Sequence, residues 1–226
     1  MLGHRITRLD GWLDWRGQRR YDSVSARMSE MAMGLLIHDI GKIAVPEAVL
    51  NKPGELTVDE WELIRTHPSA GASLLPADRV SALSIAIVRD HHERWDGDGY
   101  ESGRAADEIH PFARIASVAD VYDAITADRP YKAANPAHVG VRAVQEGAGT
   151  QFDPDVVDHF LHIAMPYPIG SEVTLPDGSV GVVADVSTHS PDTPVVRYRD
   201  ATGRFIEAEM HIVDGIVQGD LQGLYN

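Results

Sequence analysis

The apolar residues that follow the first 27 positions recur with helical spacing, and the stripes they form end in histidine or aspartate. One stripe starts at Met28 and continues at i+3, i+4, i+7 and i+8, so Asp39 joins the same face at i+11. A second stripe, Val80–Val88, is extended in the same way by His91 and His92. A buried charge is costly unless it is paired or binds a metal. The pattern therefore predicts a helical bundle that points ionisable groups inward.

The stripes and their flanking signals predict the limits of several helices. The first helix is expected over 22–39, with Gly41 at its end. Thr57 and Glu60 form the pattern of a capping box, and the helix that it opens should stop at His67 because Pro68 follows. Further helices are predicted over 111–126, 136–148 and 154–164. Asp120 then lies near the inward face of the helix over 111–126, and the glycine-rich stretch 96–104 is predicted to be a loop.

The pattern changes from helical to alternating after Met165. Valine-rich runs alternate with turn residues, and the pairs Asp177-Gly178 and Thr202-Gly203 predict hairpins. We therefore expect a mainly α domain over 1–166, whose segment 1–27 has only a weak apolar pattern, followed by a small all-β unit over 167–226.

Composition excludes several classes of protein. The chain has 20 Lys and Arg against 34 Asp and Glu, a formal net charge of −14, which disfavours nucleic acid as a partner. The absence of cysteine excludes disulfides, cysteine-ligated zinc, iron–sulfur clusters and a thiol nucleophile. The apolar run Met31–Ile37 is too short to span a membrane, and the first residues lack the pattern of a secretory signal. We expect a cytoplasmic protein without a membrane span.

Six ionisable residues, four His and two Asp, are predicted to point inward near helix ends. A single histidine on an apolar face is usually a satisfied core residue. Burying six such groups without a cation would cost more than the net stability of a domain. Imidazole and carboxylate together suit iron, manganese or zinc, so a site for several metal ions is the favoured interpretation. The six are His38, Asp39, His67, His91, His92 and Asp120.

Motifs in this region resemble those of the HD-GYP family, a branch of the HD-domain metal-dependent phosphohydrolases. They are HDIGK (His38–Lys42), His67-Pro68, HHERWDGDGY (His91–Tyr100) and ARIASVADVYDAITADRPYK (Ala113–Lys132). Their order and spacing match the family over about residues 28–163. The resemblance implies an HD-domain helical bundle. It is weaker for the β unit, which is similar to a small barrel-like tail found after some members.

The resemblance also implies roles for individual residues. The six residues named above match the metal ligands, with Asp39 as the bridge between ions, and Lys42 matches a lysine that faces the scissile phosphate. Arg129 and Lys132 match cations that hold the substrate's phosphates. Tyr100 is placed with the substrate-binding residues, although loop packing would also explain it. The implied cofactors are two or three divalent ions, Fe or Mn.

The family hydrolyses cyclic di-GMP to pGpG or on to GMP, by a hydroxide that bridges two metal ions. We therefore expect a cyclic di-GMP phosphodiesterase that acts in bacterial signalling. Three alternatives stay open at this point. The chain could be a weak or inactive HD-GYP module that senses cyclic di-GMP or binds a signalling protein, or an HD phosphohydrolase that acts on another nucleotide phosphoester. The third alternative is a metal site that is retained only for structure. A homodimer is also compatible with the sequence.

Two departures from the family pattern motivate the first alternative. The family's fuller sites take a Glu and a His from an earlier helix, and those positions fall near Leu2 and Ile6, which cannot bind metal; His4 is the nearest residue that could. The family's GYP signature is Gly99-Tyr100-Glu101 here. Replacing proline removes a fixed φ and adds a negative charge, which affects loop docking and partner recognition more than metal binding.

Overall fold

The structure is a computed structural model that describes residues 1–9, 12–13, 19–20, 23–128, 133–187 and 190–218. Within these residues the helices are α1 Leu2–Leu9, α2 Val24–Leu36, α3 Glu47–Leu50, α4 Val58–Arg65, α5 His67–Leu74, α6 Ala82–Asp90, α7 Pro111–Thr126, α8 Ala137–Glu146 and α9 Pro154–Leu161. Short 3₁₀ helices lie at Ile40–Ala44 and Ala106–Glu108. No helix in the described ranges is long and apolar enough to cross a membrane.

The strands form two antiparallel or mixed sheets. A short ribbon pairs β1 Trp12–Leu13 with β2 Arg19–Arg20. The second sheet has six strands in the order β6-β5-β4-β3-β8-β7, in which only β3 and β8 are parallel. Its strands are β3 Glu172–Thr174, β4 Val180–Ser187, β5 Ser190–Arg199, β6 Phe205–Glu209, β7 Ile212–Val213 and β8 Ile216–Val217. The predicted mainly α chain with a small β unit is therefore confirmed.

The described residues divide into two compact units. One unit comprises Met1–Asp120 and Gly147–Phe160, and the other comprises Val121–Glu146 and Leu161–Asn226. The predicted division at 166 and 167 follows the change from helix to strand and stays a prediction. Every candidate site residue that the structure describes belongs to the first unit.

The core of the first unit forms where α6 packs against α2 and α5, and it includes buried residues of α7. Ile87 and Val88 of α6 are fully buried, as is Ala113 of α7. The hydroxyl of Ser84 in α6 donates a hydrogen bond of 2.7 Å to the carbonyl of Glu30 in α2, which ties the two helices at mid-length. This core fixes the ends of the helices that carry the candidate ligands.

Local sequence signals account for the limits of most helices. The capping box forms as predicted: the backbone N–H of Glu60 donates to Thr57 Oγ1, and the N–H of Thr57 donates to the Glu60 carboxylate. Pro68 does not only end α4; it opens α5, where its missing N–H costs nothing because the first turn has no partner for it. The helix predicted over 111–126 is observed with those limits. In the sheet, Gly178 and Gly203 occupy the hairpin turns with positive φ.

One prediction for α2 is wrong. The helix ends at Leu36, so His38 and Asp39 lie in the turn after it and not on its inward stripe. Ala32 is exposed and Leu36 is 80% exposed, whereas Met31 and Gly34 are buried. The chain leaves the helix because the next segment must pass close to α5: a Cβ on Gly41 would collide with the backbone carbonyl of His67.

Candidate metal centre

Five of the six predicted ligands come from the ends of helices or from the residues just beyond them. His38 and Asp39 follow α2, His67 opens α5, and His91 and His92 follow α6. Asp120 lies within α7. We call these six residues the histidine–aspartate cluster: His38, Asp39, His67, His91, His92 and Asp120. The packing of four helices therefore brings together residues that are up to 82 positions apart in the chain.

The cluster is compact and partly buried. One ligand atom from each of Asp39, His67, His91 and His92 can be chosen so that all four lie within 4.8 Å of one another. The His67 and His91 side chains are at most 1% exposed. His38 Nε2 lies 3.4 Å from Asp39 Oδ2 and 3.6 Å from Asp120 Oδ1. The structure thus places all six residues around one centre.

Backbone carbonyls orient the imidazole rings. His67 Nδ1 donates to the carbonyl of Ile64 at 2.8 Å, and His91 Nδ1 lies 3.0 Å from the carbonyl of Val88. A carbonyl oxygen can only accept, so Nδ1 carries the proton in each neutral ring and Nε2 carries a lone pair. The two Nε2 atoms lie 3.3 Å apart. Two lone pairs facing each other at this distance are the arrangement that a shared cation would stabilise.

Asp39 presents its two carboxylate oxygens to different neighbours. Oδ1 faces His67 Nε2 at 3.2 Å and His91 Nε2 at 3.9 Å. This oxygen is buried and has no hydrogen-bond partner among the described residues, because the neighbouring nitrogens carry lone pairs. Oδ2 faces His38 and accepts a hydrogen bond of 2.5 Å from Lys42 Nζ. A buried, unpartnered carboxylate oxygen is the observation that most directly indicates a cation site.

Burial and charge shift the pKa values within the cluster. Burial, together with His38 and His67, lowers the pKa of His91 to about 4. Burial, together with His91 and His67, lowers the pKa of His92 to about 3. Both rings are therefore neutral at pH 7, which is the form that binds metal.

The carboxylates of the cluster stay ionised. Burial raises the pKa of Asp39, but the hydrogen bond and the positive charge of Lys42 outweigh that effect, and the pKa lies well below its usual value. Burial also raises the pKa of Asp120, and His38 outweighs it. The hydrogen bond with Asp120 raises the pKa of His38, although burial opposes this effect. The donor set of neutral imidazoles and ionised carboxylates fits divalent transition-metal ions.

The loop 96–104 packs Tyr100 against this centre. The Tyr100 ring is stacked on His92, with ring centroids 4.8 Å apart and an interplanar angle of 26°. The Tyr100 N–H donates to the carbonyl of His92 at 3.2 Å. A Cβ on Gly99 would collide with the backbone of Glu93 and Arg94, so only glycine allows this close approach. The position of Tyr100 supports its predicted place beside the site.

Two carboxylates hold the same loop. The buried Glu93 accepts hydrogen bonds from the N–H groups of Ser102 at 2.8 Å and Arg104 at 3.1 Å. Glu101, which replaces the proline of the family signature, accepts from the N–H and the hydroxyl of Ser69 at 2.9 and 2.7 Å. Ser69 is in the first turn of α5, the helix that begins with His67. Side-chain hydrogen bonds thus constrain a loop whose fixed proline is missing.

Some predicted residues lie outside the described part of the chain. Arg129 and Lys132 fall in the gap 129–132, and the side chain of His4 is not described although its backbone belongs to α1. Sequence reasoning missed Glu93, Ser69 and the residues of α4 that face Tyr100. The last group carries a detectable signal, because Val58, Trp61 and Arg65 follow the i, i+3, i+7 spacing of one helix face.

Comparison with known proteins places the chain in a family. The HD domain family profile matches residues 9–156. A cyclic di-GMP phosphodiesterase of Pseudomonas aeruginosa is 43% identical over 186 residues, which cover 82% of this chain and 45% of that protein. A cyclic di-GMP phosphodiesterase of Thermotoga maritima is 36% identical, with 72% and 45% covered. A 3′3′-cGAMP-specific phosphodiesterase of Vibrio cholerae is 35% identical, with 55% and 24% covered.

The chain spans less than half the length of these three relatives. The family match itself covers well over half of this chain and includes all six residues of the histidine–aspartate cluster. The chain therefore belongs to the HD domain family, within its HD-GYP branch.

Proposed function

We propose that this chain is a metal-dependent phosphodiesterase that hydrolyses cyclic di-GMP to pGpG, with GMP as the product of a second cut. The observation that carries the proposal is the carboxylate of Asp39, whose two oxygens face separate groups of imidazole nitrogens. Two of the relatives compared above are cyclic di-GMP phosphodiesterases, and this similarity is the reason for proposing cyclic di-GMP as the substrate.

The histidine–aspartate cluster would hold two ions, and Asp39 would contribute to both. His67 and His91 face Oδ1, whereas His38 faces Oδ2 and also lies beside Asp120. The mixed imidazole and carboxylate set favours Fe or Mn. A third ion would need a ligand from the segment before α2, where the positions of the family ligands hold Leu2 and Ile6. Bound ions would acidify a water to the attacking hydroxide and stabilise the charge that develops on the phosphate.

Lys42 has two roles in this proposal. Its ammonium group keeps Asp39 ionised through the 2.5 Å contact, and it brings a positive charge to the edge of the cluster. The Lys42 side chain is 39% exposed, so it is accessible to an incoming phosphate. Arg129 and Lys132 are proposed as further phosphate-binding cations on the strength of the sequence motif. Together they offset locally the net charge of −14, which repels anions.

A second candidate substrate is 3′3′-cGAMP. The Vibrio cholerae relative named above is specific for this cyclic dinucleotide and shares 35% identity with the chain. Both substrates contain the same kind of phosphodiester bond and at least one guanine, so the cluster alone does not choose between them. The choice depends on the residues that contact the bases.

Three further expectations stay predictions. They are a cytoplasmic location, a homodimer, and a signalling-protein partner that binds the Gly99-Tyr100-Glu101 loop. A signalling-protein partner at this loop is also compatible with a chain that binds cyclic di-GMP without hydrolysing it.

The test is an anaerobic hydrolysis assay of protein loaded with Fe(II) or Mn(II), with products resolved by chromatography. Cyclic di-GMP, 3′3′-cGAMP and the base-free diester bis(p-nitrophenyl) phosphate are compared at equal concentration. We expect pGpG from cyclic di-GMP at the highest rate. Intact cyclic di-GMP with metal confirmed in the protein would refute the proposed activity and favour a sensing module. Faster cleavage of 3′3′-cGAMP would reassign the substrate.

A further inference from the structure

A groove lies beside the histidine–aspartate cluster and is lined almost entirely by one face of α4. Its volume is about 460 Å³, and its lining residues are Val58, Trp61, Glu62, Arg65 and Tyr100. Small-molecule sites typically occupy roughly 300–1,000 Å³, so this volume suits a nucleobase with part of its sugar. We call these five residues the α4 groove.

Tyr100 connects the α4 groove to the cluster. Its ring stacks on His92, and the guanidinium carbon of Arg65 lies 5.6 Å from the centroid of the same ring. The groove therefore begins one aromatic ring away from a candidate metal ligand. A nucleotide whose phosphate reaches the cluster would carry its base toward this groove, because the sugar separates the two by a short distance.

The side chains of the groove offer the two kinds of contact that a base needs. Trp61 is 48% exposed, which is unusual for a large aromatic residue and leaves part of its ring free to stack. Stacking of a base on an aromatic side chain is favourable for every base, because each has a π-face. Arg65 and Glu62 then present donors and acceptors at the edge of such a stacked base.

The charged pair matches guanine better than adenine. Guanine accepts hydrogen bonds at O6 and N7, where an arginine donates in bidentate fashion, and donates from N2, where a carboxylate accepts. Adenine has a donor at N6 in place of the O6 acceptor, so an arginine there loses a partner. The Arg65–Glu62 ion pair is long, at 3.6 Å, and both side chains are at least half exposed. An exposed pair of this kind contributes little and can open toward a ligand.

We propose that the α4 groove is a guanine subsite, in which Trp61 stacks on the base while Arg65 and Glu62 contact its edge. This inference rests on the proposed function, because it assigns a place to one base of the same cyclic dinucleotide. It adds a role for α4, a helix that contributes no residue to the cluster.

The test compares Trp61→Ala with Leu63→Ala. Leu63 is 44% exposed on the same helix but does not line the groove, so it is a matched control for loss of an exposed apolar side chain. Binding of a non-hydrolysable phosphorothioate analogue of cyclic di-GMP to Mn-loaded protein is measured by calorimetry, which avoids turnover. Loss of one base stack typically costs roughly 5- to 150-fold in affinity. We expect Trp61→Ala to weaken binding at least about tenfold and Leu63→Ala to leave it unchanged.

Steady-state kinetics on Mn-loaded protein separate this inference from the proposed function. Trp61→Ala should raise KM for cyclic di-GMP and leave hydrolysis of bis(p-nitrophenyl) phosphate, which has no base, unchanged. Arg65→Gln should reduce the preference for cyclic di-GMP over cyclic di-AMP about tenfold, since the bidentate contact that it removes gives roughly 1–3 kcal/mol of discrimination between bases. If wild-type protein binds but does not hydrolyse, and Trp61→Ala loses that binding, the subsite stands and the proposed activity fails.

Two outcomes would overturn the subsite. One is equal binding by Trp61→Ala and Leu63→Ala. The other is an equal loss of activity by Trp61→Ala on cyclic di-GMP and on the base-free diester, because Trp61 would then act on the chemistry or the fold and not on the base. Circular dichroism of each variant checks that the helices are retained.

Discussion

The histidine–aspartate cluster and the α4 groove are adjacent but held in different ways. In the cluster, the His67 and His91 side chains are almost fully buried, and backbone carbonyls fix their rings. In the groove, Trp61 and Arg65 are about half-exposed, and Arg65 contacts the side chains of Tyr100 and Glu62. The cluster is thus positioned by the fold itself, whereas the groove can change without disturbing the helices. Chemistry and substrate choice can therefore be altered separately, and each prediction below tests that separation.

The largest effect is expected in the cluster, from Asp39→Asn. The substitution removes the charge that faces His67, His38 and Lys42. It also replaces one carboxylate oxygen by an amide nitrogen, which cannot bind metal. Loss of an outer partner of a metal ligand already costs roughly 10–100-fold in metal affinity or activity. We expect Asp39→Asn to lose more than this, together with at least one equivalent of bound metal.

Metal content by mass spectrometry and hydrolysis of cyclic di-GMP measure the effect. Asp78→Asn is the control. Asp78 is an exposed carboxylate in the turn before α6, and it does not belong to the histidine–aspartate cluster. If Asp39→Asn retained its full metal content and its activity, the cluster would not be the metal centre. If Asp78→Asn lost both, the effect would be one of fold.

The second prediction concerns acid stability without metal. The pKa values of His91 and His92, about 4 and about 3, lie below the value of about 6.5 for an unfolded histidine. Between these limits the unfolded chain binds more protons than the folded one, so the free energy of unfolding falls as pH decreases below about 6.5. His38 opposes this trend, because Asp120 raises its pKa and its protonation stabilises the fold.

Thermal unfolding at pH 7 and pH 5 tests this balance. The lowered pKa values of His91 and His92 destabilise the fold in acid more than the raised pKa of His38 stabilises it. We therefore expect Tm of the metal-free protein to fall by several degrees at pH 5. Metal that binds only the folded chain should raise Tm at pH 7, since binding shifts the folding equilibrium. Trp61→Ala, in the groove, should show the same dependence on pH as the wild type. A Tm that is independent of pH in metal-free protein would contradict the buried, neutral state of these rings.

The sequence predicted the cluster but not its local geometry. All six residues were identified because histidine and aspartate at the ends of apolar stripes are unusual, and their spacing matched a known family. The predicted helix over 22–39 is longer than the observed α2. Periodicity shows which face a residue would take if the helix continued, but it does not show where the helix ends. The stop depends on the close approach of Gly41 to α5, a tertiary contact that a local pattern does not contain.

The groove was missed for a related reason. Trp61 and Arg65 lie on one face of α4 by their spacing, but the same spacing occurs in any amphipathic helix and does not by itself indicate a ligand. Their role depends on Tyr100, which is brought to them by a loop that begins 30 residues later in the chain. The effect of Glu101 was also misjudged: the sequence indicated a loss of rigidity, and only the structure shows its hydrogen bonds to Ser69.

The smallest effect is expected from Glu101→Ala, which tests how the loop at the boundary of the two regions is held. The substitution removes both hydrogen bonds to Ser69 but leaves the two that Glu93 accepts and the one between Tyr100 and His92. Hydrogen bonds at exposed positions lie at the lower end of the usual range, at about 0.5 kcal/mol each, so the two together contribute about 1 kcal/mol. We expect KM for cyclic di-GMP to rise less than about tenfold, because about 1.4 kcal/mol corresponds to a factor of ten.

Two matched variants show whether the loss comes from the hydrogen bonds. Glu101→Pro returns the family's residue and its fixed φ, so it should recover part of what Glu101→Ala loses. Glu93→Ala should be more harmful than either, since it removes a carboxylate that is 3% exposed and leaves two backbone N–H groups without their acceptor. If Glu101→Ala cost more activity than Glu93→Ala, the exposed contact with Ser69 would be what positions Tyr100. The loop would then depend on its surface contacts and not, as the cluster does, on buried ones.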